Sequence, residues 1–191
     1  MNYYISDLHF GHGNAVKFDK RPFADEMEMG EELVRRWNSV VKQSDTVYIL
    51  GDLGWSWAYD IYVPRLNGKK FLIKGNHDRV SSKQLHHFHG MADYLEIKDD
   101  GERVILSHFP MLFWNAQHYD SVHLYGHVHL TLQHELCEKW KEDMRQIEGI
   151  PVRAFNVGCM VPYMDYTPRT LKEILEANNA LKEVVENEKK K

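Results

Sequence analysis

The sequence at residues 71–78 is FLIKGNHD. The apolar run at residues 71–73 predicts a buried β-strand, which the glycine two positions later brings to an end. Asparagine, histidine and aspartate follow, and side chains of these types bind metal ions. Residues 46–52, TVYILGD, repeat the arrangement, because an apolar strand again ends at a glycine and then at Asp52. Two such units predict an α/β fold with polar side chains at the carboxyl ends of buried strands.

Three further predicted strands are each followed by side chains of the same types. They are residues 3–6 before Asp7-Leu8-His9, residues 103–106 before Ser107-His108, and residues 122–125 before Gly126-His127-Val128-His129. In open α/β sheets, ligands bind in the crevice beyond the carboxyl ends of the strands. One sheet edge could therefore gather all five segments into a single site.

Helical patterns lie between these strands. Residues 25–41 are predicted to form a helix that Asp25 caps, with an apolar stripe along one face. A short helix is expected at residues 58–63, where Pro64 would stop it. Residues 81–89 are also predicted to be helical.

The second half of the chain predicts more strands and a last helix. An Asp-Gly step predicts a β-hairpin between residues 94–97 and 103–106. Residues 153–157 are expected to form another strand, and the polar segment 137–149 a surface excursion. A capping box that begins at Thr170 predicts a closing helix. Together these elements predict an α/β domain with a mixed, fully covered sheet or pair of sheets.

The composition is that of a globular protein. The chain has 191 residues, 43% of them hydrophobic, and a net charge of -4, which predicts one domain over residues 1–191. A mildly acidic chain is not expected to bind long nucleic acid, whereas metal ions could attract a small phosphate substrate. The two cysteines favour a reducing compartment, and the first residues are not typical of a signal peptide. We therefore expect a cytoplasmic protein that binds no membrane.

The spacing of the candidate ligands has a physical explanation. Asp7 and His9 are two residues apart, so they would point to the same side of an extended backbone, as would His127 and His129. Glycines precede three of the blocks and would let the backbone turn sharply through positive φ angles. Aspartate, asparagine and histidine together suit hard or borderline divalent metals. The ligands are too many for one tetrahedral zinc and sufficient for two ions that share a carboxylate.

The five blocks resemble the pattern of the calcineurin-like metallophosphoesterases. That pattern is Asp-x-His, Gly-Asp, Gly-Asn-His-Asp or -Glu, a lone His and Gly-His-x-His, and all five blocks occur here in order over residues 7–129. The resemblance implies a four-layer αββα sandwich of two mixed β-sheets. It also implies two divalent metal ions, for which manganese, iron, nickel and zinc are all candidates.

The resemblance implies a role for each matched residue. A first metal would be held by Asp7, His9 and His129, a second by Asn76, His108 and His127, and Asp52 would bridge both. A hydroxide bridging the two ions would attack phosphorus. His77 would contact the phosphate and protonate the leaving oxygen, and Asp78 would orient its imidazole.

Other residues have open alternatives. His12 could bind the substrate phosphate or be a loop residue, and Arg21 and Arg79 could clamp the phosphate or lie on the surface. The aromatic residues near the blocks could stack a base or pack as core and rim; they are Trp55, Trp57, Phe109, Phe113 and Trp114. Six further histidines are expected to be solvated; they are His86, His87, His89, His118, His123 and His134. Cys159 is expected to be buried, and Asn156 and Gly158 could support the site.

Metal-dependent hydrolysis of a phosphoester is the function that these residues predict. Phosphodiesters such as cyclic nucleotides or short oligonucleotides come first, because a chain of this length leaves little room for a capping domain. Phosphomonoesters, including nucleotides and phosphoproteins, are the alternative. A non-catalytic metal-binding scaffold would be expected to lack His77, and a nucleic-acid-binding module would show clustered rather than scattered lysine and arginine.

Overall fold

The first sheet contains the earliest strands of the chain. The computed structural model describes residues 1–149 and 152–178. The sheet has the order β1-β2-β3-β4, with β1 (Asn2–Ile5), β2 (Thr46–Ile49), β3 (Lys69–Ile73) and β4 (Gly90–Ala92). All three neighbouring pairs run parallel, and an isolated antiparallel bridge joins Tyr4 to Arg169. The sequence predicts β1, β2 and β3 but not β4.

The second sheet contains the later strands. It has the order β5-β6-β7-β8, with β5 (Tyr94–Asp99), β6 (Glu102–Ser107), β7 (Val122–Tyr125) and β8 (Ala154–Asn156). The predicted hairpin is confirmed, because β5 and β6 pair antiparallel and their turn places Asp100 and Gly101 at φ angles of 49° and 81°. The other pairs run parallel, so this sheet is mixed. The α/β fold class with two sheets is confirmed.

Helices connect the strands. They are α1 (Gly13–Phe18), α2 (Glu26–Val40), α3 (Ser56–Tyr62), α4 (Leu132–Glu148) and α5 (residues 171–178). Short 3₁₀ segments cover Val63–Arg65, Ser82–His87 and Gln117–Tyr119. The helix predicted at residues 81–89 is therefore a 3₁₀ segment, and Pro64 lies in the 3₁₀ turn that follows α3. No helix within the described ranges is long and apolar enough to cross a membrane.

Two successive tyrosines of β1 show how the layers stack. The Tyr3 hydroxyl donates to the backbone carbonyl of Val40 in α2 at 3.1 Å. The next hydroxyl, on Tyr4, donates to the carboxylate of Asp99 in β5 at 2.7 Å. Since successive strand side chains point to opposite faces, α2 covers the outer face of the first sheet and the second sheet covers its inner face.

The outer face of the second sheet is covered by α4. Ile105 and Tyr125 of this sheet form a separate buried cluster, against which Cys137 and Trp140 of α4 pack. The layer order is thus helix, sheet, sheet, helix, which is the αββα arrangement that the family resemblance implies.

The sequence-based prediction for segment 137–149 is wrong. It belongs to α4 rather than to a surface excursion. The Thr131 side chain caps the start of α4 by accepting from the Gln133 N–H at 3.2 Å, and Gly149 ends it in the left-handed conformation at φ 69°. Most side chains of α4 are exposed, and polar and charged residues predominate among them.

The predicted capping box at the start of the closing helix is confirmed. The Thr170 backbone N–H and hydroxyl both donate to the Glu173 carboxylate at 2.8 Å, and the Glu173 N–H donates to the threonine oxygen at 3.3 Å. Leu171 and Ile174 are buried. The positions predicted to continue this apolar face, Leu181 and Val185, lie outside the described residues.

Candidate metal centre

The five predicted blocks meet where the carboxyl ends of the two sheets come together. Backbone hydrogen bonds tie the loops side by side. The Asp7 N–H donates to the Gly51 carbonyl and the His9 N–H to the Asp52 carbonyl, both at 3.0 Å. In the second sheet, the Gly126 N–H donates to the His108 carbonyl at 2.9 Å. The main chain therefore fixes the spacing of the side chains that follow each strand.

A first group of ligand-type atoms consists of Asp7, His9 and His129. All three side chains are buried, and their ligand atoms lie within 4.8 Å of one another. The Nε2 atoms of His9 and His129 are 3.2 Å apart, and His129 Nε2 lies 3.6 Å from Asp7 Oδ1. These are the three residues that the sequence assigns to the first metal.

A second group consists of Asp52, His108 and His127. His108 Nε2 lies 3.5 Å from Asp52 Oδ2 and 3.3 Å from His127 Nδ1. Asn76 completes the group, because its Oδ1 is 3.0 Å from both histidine nitrogens. The structure thus brings together all the residues that the sequence assigns to the second metal.

Asp52 lies between the two groups. Its Oδ2 is 3.5 Å from His108 Nε2 and 3.9 Å from His9 Nε2, while its Oδ1 accepts the backbone N–H of His77 at 2.9 Å. One carboxylate oxygen therefore faces a histidine of each group. This is the position expected of a bridging ligand.

The donor atoms fit two divalent cations. Ligands with bonds of about 2.1 Å to a tetrahedral ion are separated by about 3.4 Å, close to the separations in both groups. The donors are carboxylate and amide oxygens and imidazole nitrogens, without a thiolate, which suits hard or borderline metals. Burial raises the pKa of Asp7, so its carboxylate needs nearby positive charge to stay ionised. A cation between these side chains would supply that charge.

Most of the ligand candidates adopt left-handed backbone conformations. The φ angles are 56° at Asp7, 53° at His9, 51° at Asp52, 71° at His127 and 46° at His129. Such angles are uncommon for residues other than glycine and tend to cluster at functional sites. The sequence-based argument from an extended backbone is therefore wrong, although the paired side chains do meet.

Close packing explains the glycines of two blocks better than positive φ angles do. Gly51 has a positive φ of 89°, but Gly75 and Gly126 do not belong to the residues with positive φ. A Cβ at Gly126 would lie 1.9 Å from the Ser6 hydroxyl and 2.6 Å from Asp7 Oδ2. Neighbouring ligand loops could not approach so closely with a side chain at this position.

His77 lies at the exposed mouth of the site. Its ring centroid is 6.0 Å from that of His9. The predicted partner, Asp78, does not orient it, because the Asp78 carboxylate accepts from four other donors. These are the N–H groups of Asp52, Leu53 and Gly75 and the Tyr59 hydroxyl, at 2.7–2.9 Å. Asp78 therefore holds two ligand loops together.

The three predicted substrate contacts differ in position. His12 borders the site, with its ring centroid 5.3 Å from that of His9. Arg79 is exposed, and its Nη1 donates to the backbone carbonyls of Asn76 and Asp78. Arg21, by contrast, is buried and donates to the carbonyls of Asp7 and Leu8 beneath the ligands. This placement is that of a support for the first loop and not of a phosphate clamp.

Asp19 is a residue of the site that the sequence did not indicate. Its carboxylate oxygens lie 2.8 and 2.9 Å from His129 Nδ1, and Oδ2 also accepts from Arg21 Nε at 2.9 Å. Burial tends to lower the pKa of His129, but the hydrogen bond to Asp19 and the charge of Asp7 raise it overall. A carboxylate on the far nitrogen of a ligand histidine fixes the orientation of its ring.

The other predicted histidines and support residues are placed as follows. Cys159 is buried as expected, and burial raises the pKa of its thiol to about 12. Asn156 donates to the His129 carbonyl and accepts from the Gly158 N–H, both at 2.9 Å. His86, His89 and His118 are exposed and His134 is partly exposed.

Two histidines predicted to be solvated are not. His87 lies 2.9 Å from a carboxylate oxygen of Asp60, and its side chain is only 8% exposed. His123 is fully buried, where it contacts the rings of Trp114 and Tyr125. The partner of His87 is thus 27 positions away in the chain.

The predicted aromatic set divides between rim and core. Trp55, Trp57, Phe109 and Phe113 are exposed, whereas Trp114 is buried. The ring centroid of Trp55 lies 5.1 Å from that of His12, and the centroid of Phe109 lies 4.4 Å from that of His127. Exposed aromatic rings therefore border the site on two sides.

The five motif blocks occur in the order typical of calcineurin-like metallophosphoesterases, and the structure brings them together in one site. No protein-family model matches the chain. An uncharacterized protein of Methanocaldococcus jannaschii, MJ1445, is 35% identical over 132 residues, which cover 66% of this chain and 68% of that protein. The chain belongs to the same family as this uncharacterized protein, and its motif blocks resemble those of the calcineurin-like metallophosphoesterases.

The similarity of this chain to a solved structure covers most of its length. AQ665 from Aquifex aeolicus, a protein of unknown function, is 25% identical, with a TM-score of 0.70 over 93% of this chain and 98% of that chain. The gene 66 protein of Mycobacterium phage L5 is 37% identical over 89 residues, 40% of this chain and 39% of that protein. AQ665 and this chain therefore share one fold over most of their length.

Proposed function

We propose that this protein is a calcineurin-like metallophosphoesterase that hydrolyses phosphodiesters with two divalent metal ions. The observation that carries the proposal is the position of Asp52, one oxygen of which faces His9 in the first ligand group and His108 in the second. The first ion would be held with Asp7 and His129, and the second with Asn76 and His127. When bound, the ions would lower the pKa of a water molecule and neutralise the phosphoryl oxygens.

The protein side chains would position the phosphate and move the leaving-group proton. His77 is exposed at the mouth of the site, and its backbone N–H is anchored to Asp52 Oδ1 at 2.9 Å. This anchor keeps the imidazole beside the proposed bridging ligand. We propose that His77 protonates the leaving oxygen, a role for which histidine is the most common side chain.

Few cationic side chains among the described residues border the site, which favours a diester over a monoester. A phosphomonoester carries a charge of about −1.5 to −2 at pH 7, whereas a diester carries a single negative charge. Arg21 is buried beneath the ligands, and Arg79 directs Nη1 to two backbone carbonyls. Aromatic and imidazole rings form much of the remaining border. The additional charge of a monoester would have few partners there.

The proposed substrate is a small phosphoester, with nucleotides included. With a net charge of -4, the chain lacks the electrostatic attraction that long nucleic acids need. We propose that the protein acts in the cytoplasm as one domain, without a membrane partner. Manganese, iron, nickel and zinc all suit the donor set.

Metal reconstitution tests the proposal directly. The protein is stripped of metal, manganese or another divalent ion is added back, and hydrolysis of bis(p-nitrophenyl) phosphate is compared with that of p-nitrophenyl phosphate. We expect metal-dependent cleavage of the diester, loss of most activity in Asp52→Asn, and no effect of Asp143→Asn on exposed α4. A preference for the monoester would contradict the diester assignment. Two bound metals without turnover of either ester would indicate a scaffold.

The role of His77 is tested separately. His77→Ala is expected to retain both metals and to lower kcat by roughly 10²- to 10⁴-fold, the usual contribution of a general acid. Metal content and kcat are measured on the same sample. Turnover at the wild-type rate would show that His77 is not the general acid.

A further inference from the structure

A groove of about 670 Å³ opens beside the candidate metal centre. It is lined by Gly11, Trp55, Ser56, Trp57, Asp60 and Gln84. The ring centroid of Trp55 lies 5.1 Å from that of His12 and 6.4 Å from that of His77. Both imidazoles border His9, so the groove begins one side chain away from a predicted metal ligand.

Two indole rings give the groove an aromatic surface. Trp55 is 41% exposed and Trp57 is 49% exposed, although both are large apolar side chains. A Cβ at Gly11 would lie 2.4 Å from the Trp57 indole, so this ring rests directly on glycine backbone. A ring held in this way can stack a planar ligand without first losing much conformational freedom.

The polar side of the groove is anionic. The Asp60 side chain is 60% exposed. One of its oxygens accepts from the Gln84 amide at 2.9 Å, and the other lies 2.9 Å from His87 Nε2. A carboxylate has about four lone-pair positions, so Asp60 can accept further N–H donors.

The charge of the groove argues against a phosphate group as its ligand. None of its six lining residues is lysine or arginine, and Asp60 would repel an anion. A neutral planar heterocycle with N–H donors suits both the indoles and the carboxylate. Nucleobases have this chemistry, and each presents a face for stacking.

We infer that this groove binds the nucleobase of a nucleoside phosphodiester whose phosphate lies at the metal centre. The base stacks on the indoles of Trp55 and Trp57 and donates an N–H to Asp60. This inference rests on the proposed phosphodiesterase function and specifies its substrate class.

Two esters with the same leaving group test the groove. They are the p-nitrophenyl esters of adenosine 5′-phosphate and of methyl phosphate, and kcat and KM are measured for each. Stacking of a base on an aromatic side chain changes binding by roughly 5- to 150-fold, so Trp55→Ala should raise KM for the adenosine ester by that order. The change for the methyl ester should be much smaller. Trp55→Phe should restore part of the difference, since it keeps an aromatic ring.

Asp60→Asn tests the polar contact. Loss of the carboxylate should raise KM for the adenosine ester by roughly 2- to 10-fold, as for loss of one hydrogen bond. Tyr119→Ala is the matched control for Trp55→Ala, because Tyr119 is an aromatic residue that is 87% exposed and does not line the groove. This control substitution should leave KM unchanged for both esters. If Trp55→Ala and Asp60→Asn each raised KM equally for both esters, the inference would be overturned.

The inference and the proposed function can fail independently. If the wild-type protein hydrolysed both esters with similar kcat/KM, the result would support the phosphodiesterase function and reject the base site. If neither ester is turned over, the base site is tested by quenching of tryptophan fluorescence with adenosine. Quenching that is weakened in Trp55→Ala would support the site, and quenching that is unchanged in this variant would reject it.

Discussion

Asp19 and His129 are 110 positions apart in the chain, yet the Asp19 carboxylate lies 2.8 Å from His129 Nδ1. The contact directs the opposite ring nitrogen, Nε2, toward His9 and Asp7 at 3.2 and 3.6 Å. Asp19 is itself fixed by Arg21, whose Nε and Nη2 donate to Oδ2 at 2.9 and 2.8 Å. Arg21 thus holds Asp19 in place, and Asp19 in turn orients the predicted metal ligand His129.

Asp19→Ala is expected to weaken metal binding at the first site. Partners on the far nitrogen of a ligand histidine typically change metal affinity by roughly 10- to 100-fold. Activity should fall when metal is limiting and recover in part with excess metal. Metal titration by calorimetry measures the affinity, and hydrolysis as a function of metal concentration measures the recovery.

Asp19→Asn is the matched control for the hydrogen bond. It removes the charge beside Arg21, as alanine does, but keeps an amide oxygen that can accept from His129. Its metal affinity should therefore lie between those of the wild type and Asp19→Ala. Wild-type affinity in Asp19→Ala would show that the contact does not position His129.

Asp78→Ala is expected to destabilise the fold. The substitution would leave the N–H groups of Asp52, Leu53 and Gly75 and the Tyr59 hydroxyl without their acceptor. A buried donor that loses its partner costs about 1–3 kcal/mol, so the total should exceed about 3 kcal/mol. The free energy of unfolding in urea measures this loss.

Tyr59→Phe removes only one of these four hydrogen bonds. Its cost should be about 1 kcal/mol, well below that of Asp78→Ala. If Asp78→Ala unfolded at the wild-type urea concentration and lost only turnover, Asp78 would act on His77 rather than on the ligand loops.

The strands and the ligand blocks could be predicted because their signals are local. An apolar run and the polar residues that follow it, as in β3 and residues 75–78, are adjacent in sequence. The carboxyl-end rule for sheets then places such blocks together. The role of Asp19 could not be predicted in this way, since only the folded chain brings it to His129.

The errors of the sequence-based prediction also have structural causes. Polar and charged residues predominate in α4, so residues 137–149 resemble a surface loop in the sequence. Without a prediction of α4, the sequence does not indicate what covers the outer face of the second sheet. His123 lies on that face and is buried near Trp114, although the sequence places it among the solvated histidines.

Gly126→Ala is expected to weaken the first metal site. The new Cβ would lie 1.9 Å from the Ser6 hydroxyl and 2.6 Å from Asp7 Oδ2, so the Asp7 carboxylate would have to shift. Even a displacement of about 1 Å impairs a preorganised site. Metal content after dialysis should fall from two ions toward one, and diester hydrolysis should fall with it.

Gly101→Ala is the control for introducing a methyl group at a glycine. Gly101 lies in the β5–β6 turn at φ 81°, and no atom lies within 4 Å of the added Cβ. The backbone strain should cost about 1 kcal/mol of stability, while metal content stays at the wild-type value. Full metal content in Gly126→Ala would contradict the packing explanation for this glycine.

The buried His123 gives the fold a dependence on pH. Burial lowers the pKa of His123 from 6.5 to about 4. Between these values the unfolded chain binds a proton at this histidine and the folded chain does not. Stability is therefore fully present above about pH 6.5 and is lost as the pH falls toward 4. A shift of this size corresponds to about 3 kcal/mol.

His123→Phe should remove this contribution while keeping a ring beside Trp114 and Tyr125. At pH 7 the variant should be less stable by about 1 kcal/mol, because the Met111 N–H loses its acceptor. On acidification to pH 5, the free energy of unfolding in urea should fall less for the variant than for the wild type. The difference between the two proteins cancels the other titrating groups. Equal slopes for the wild type and His123→Phe would mean that another group governs the acid sensitivity of the fold.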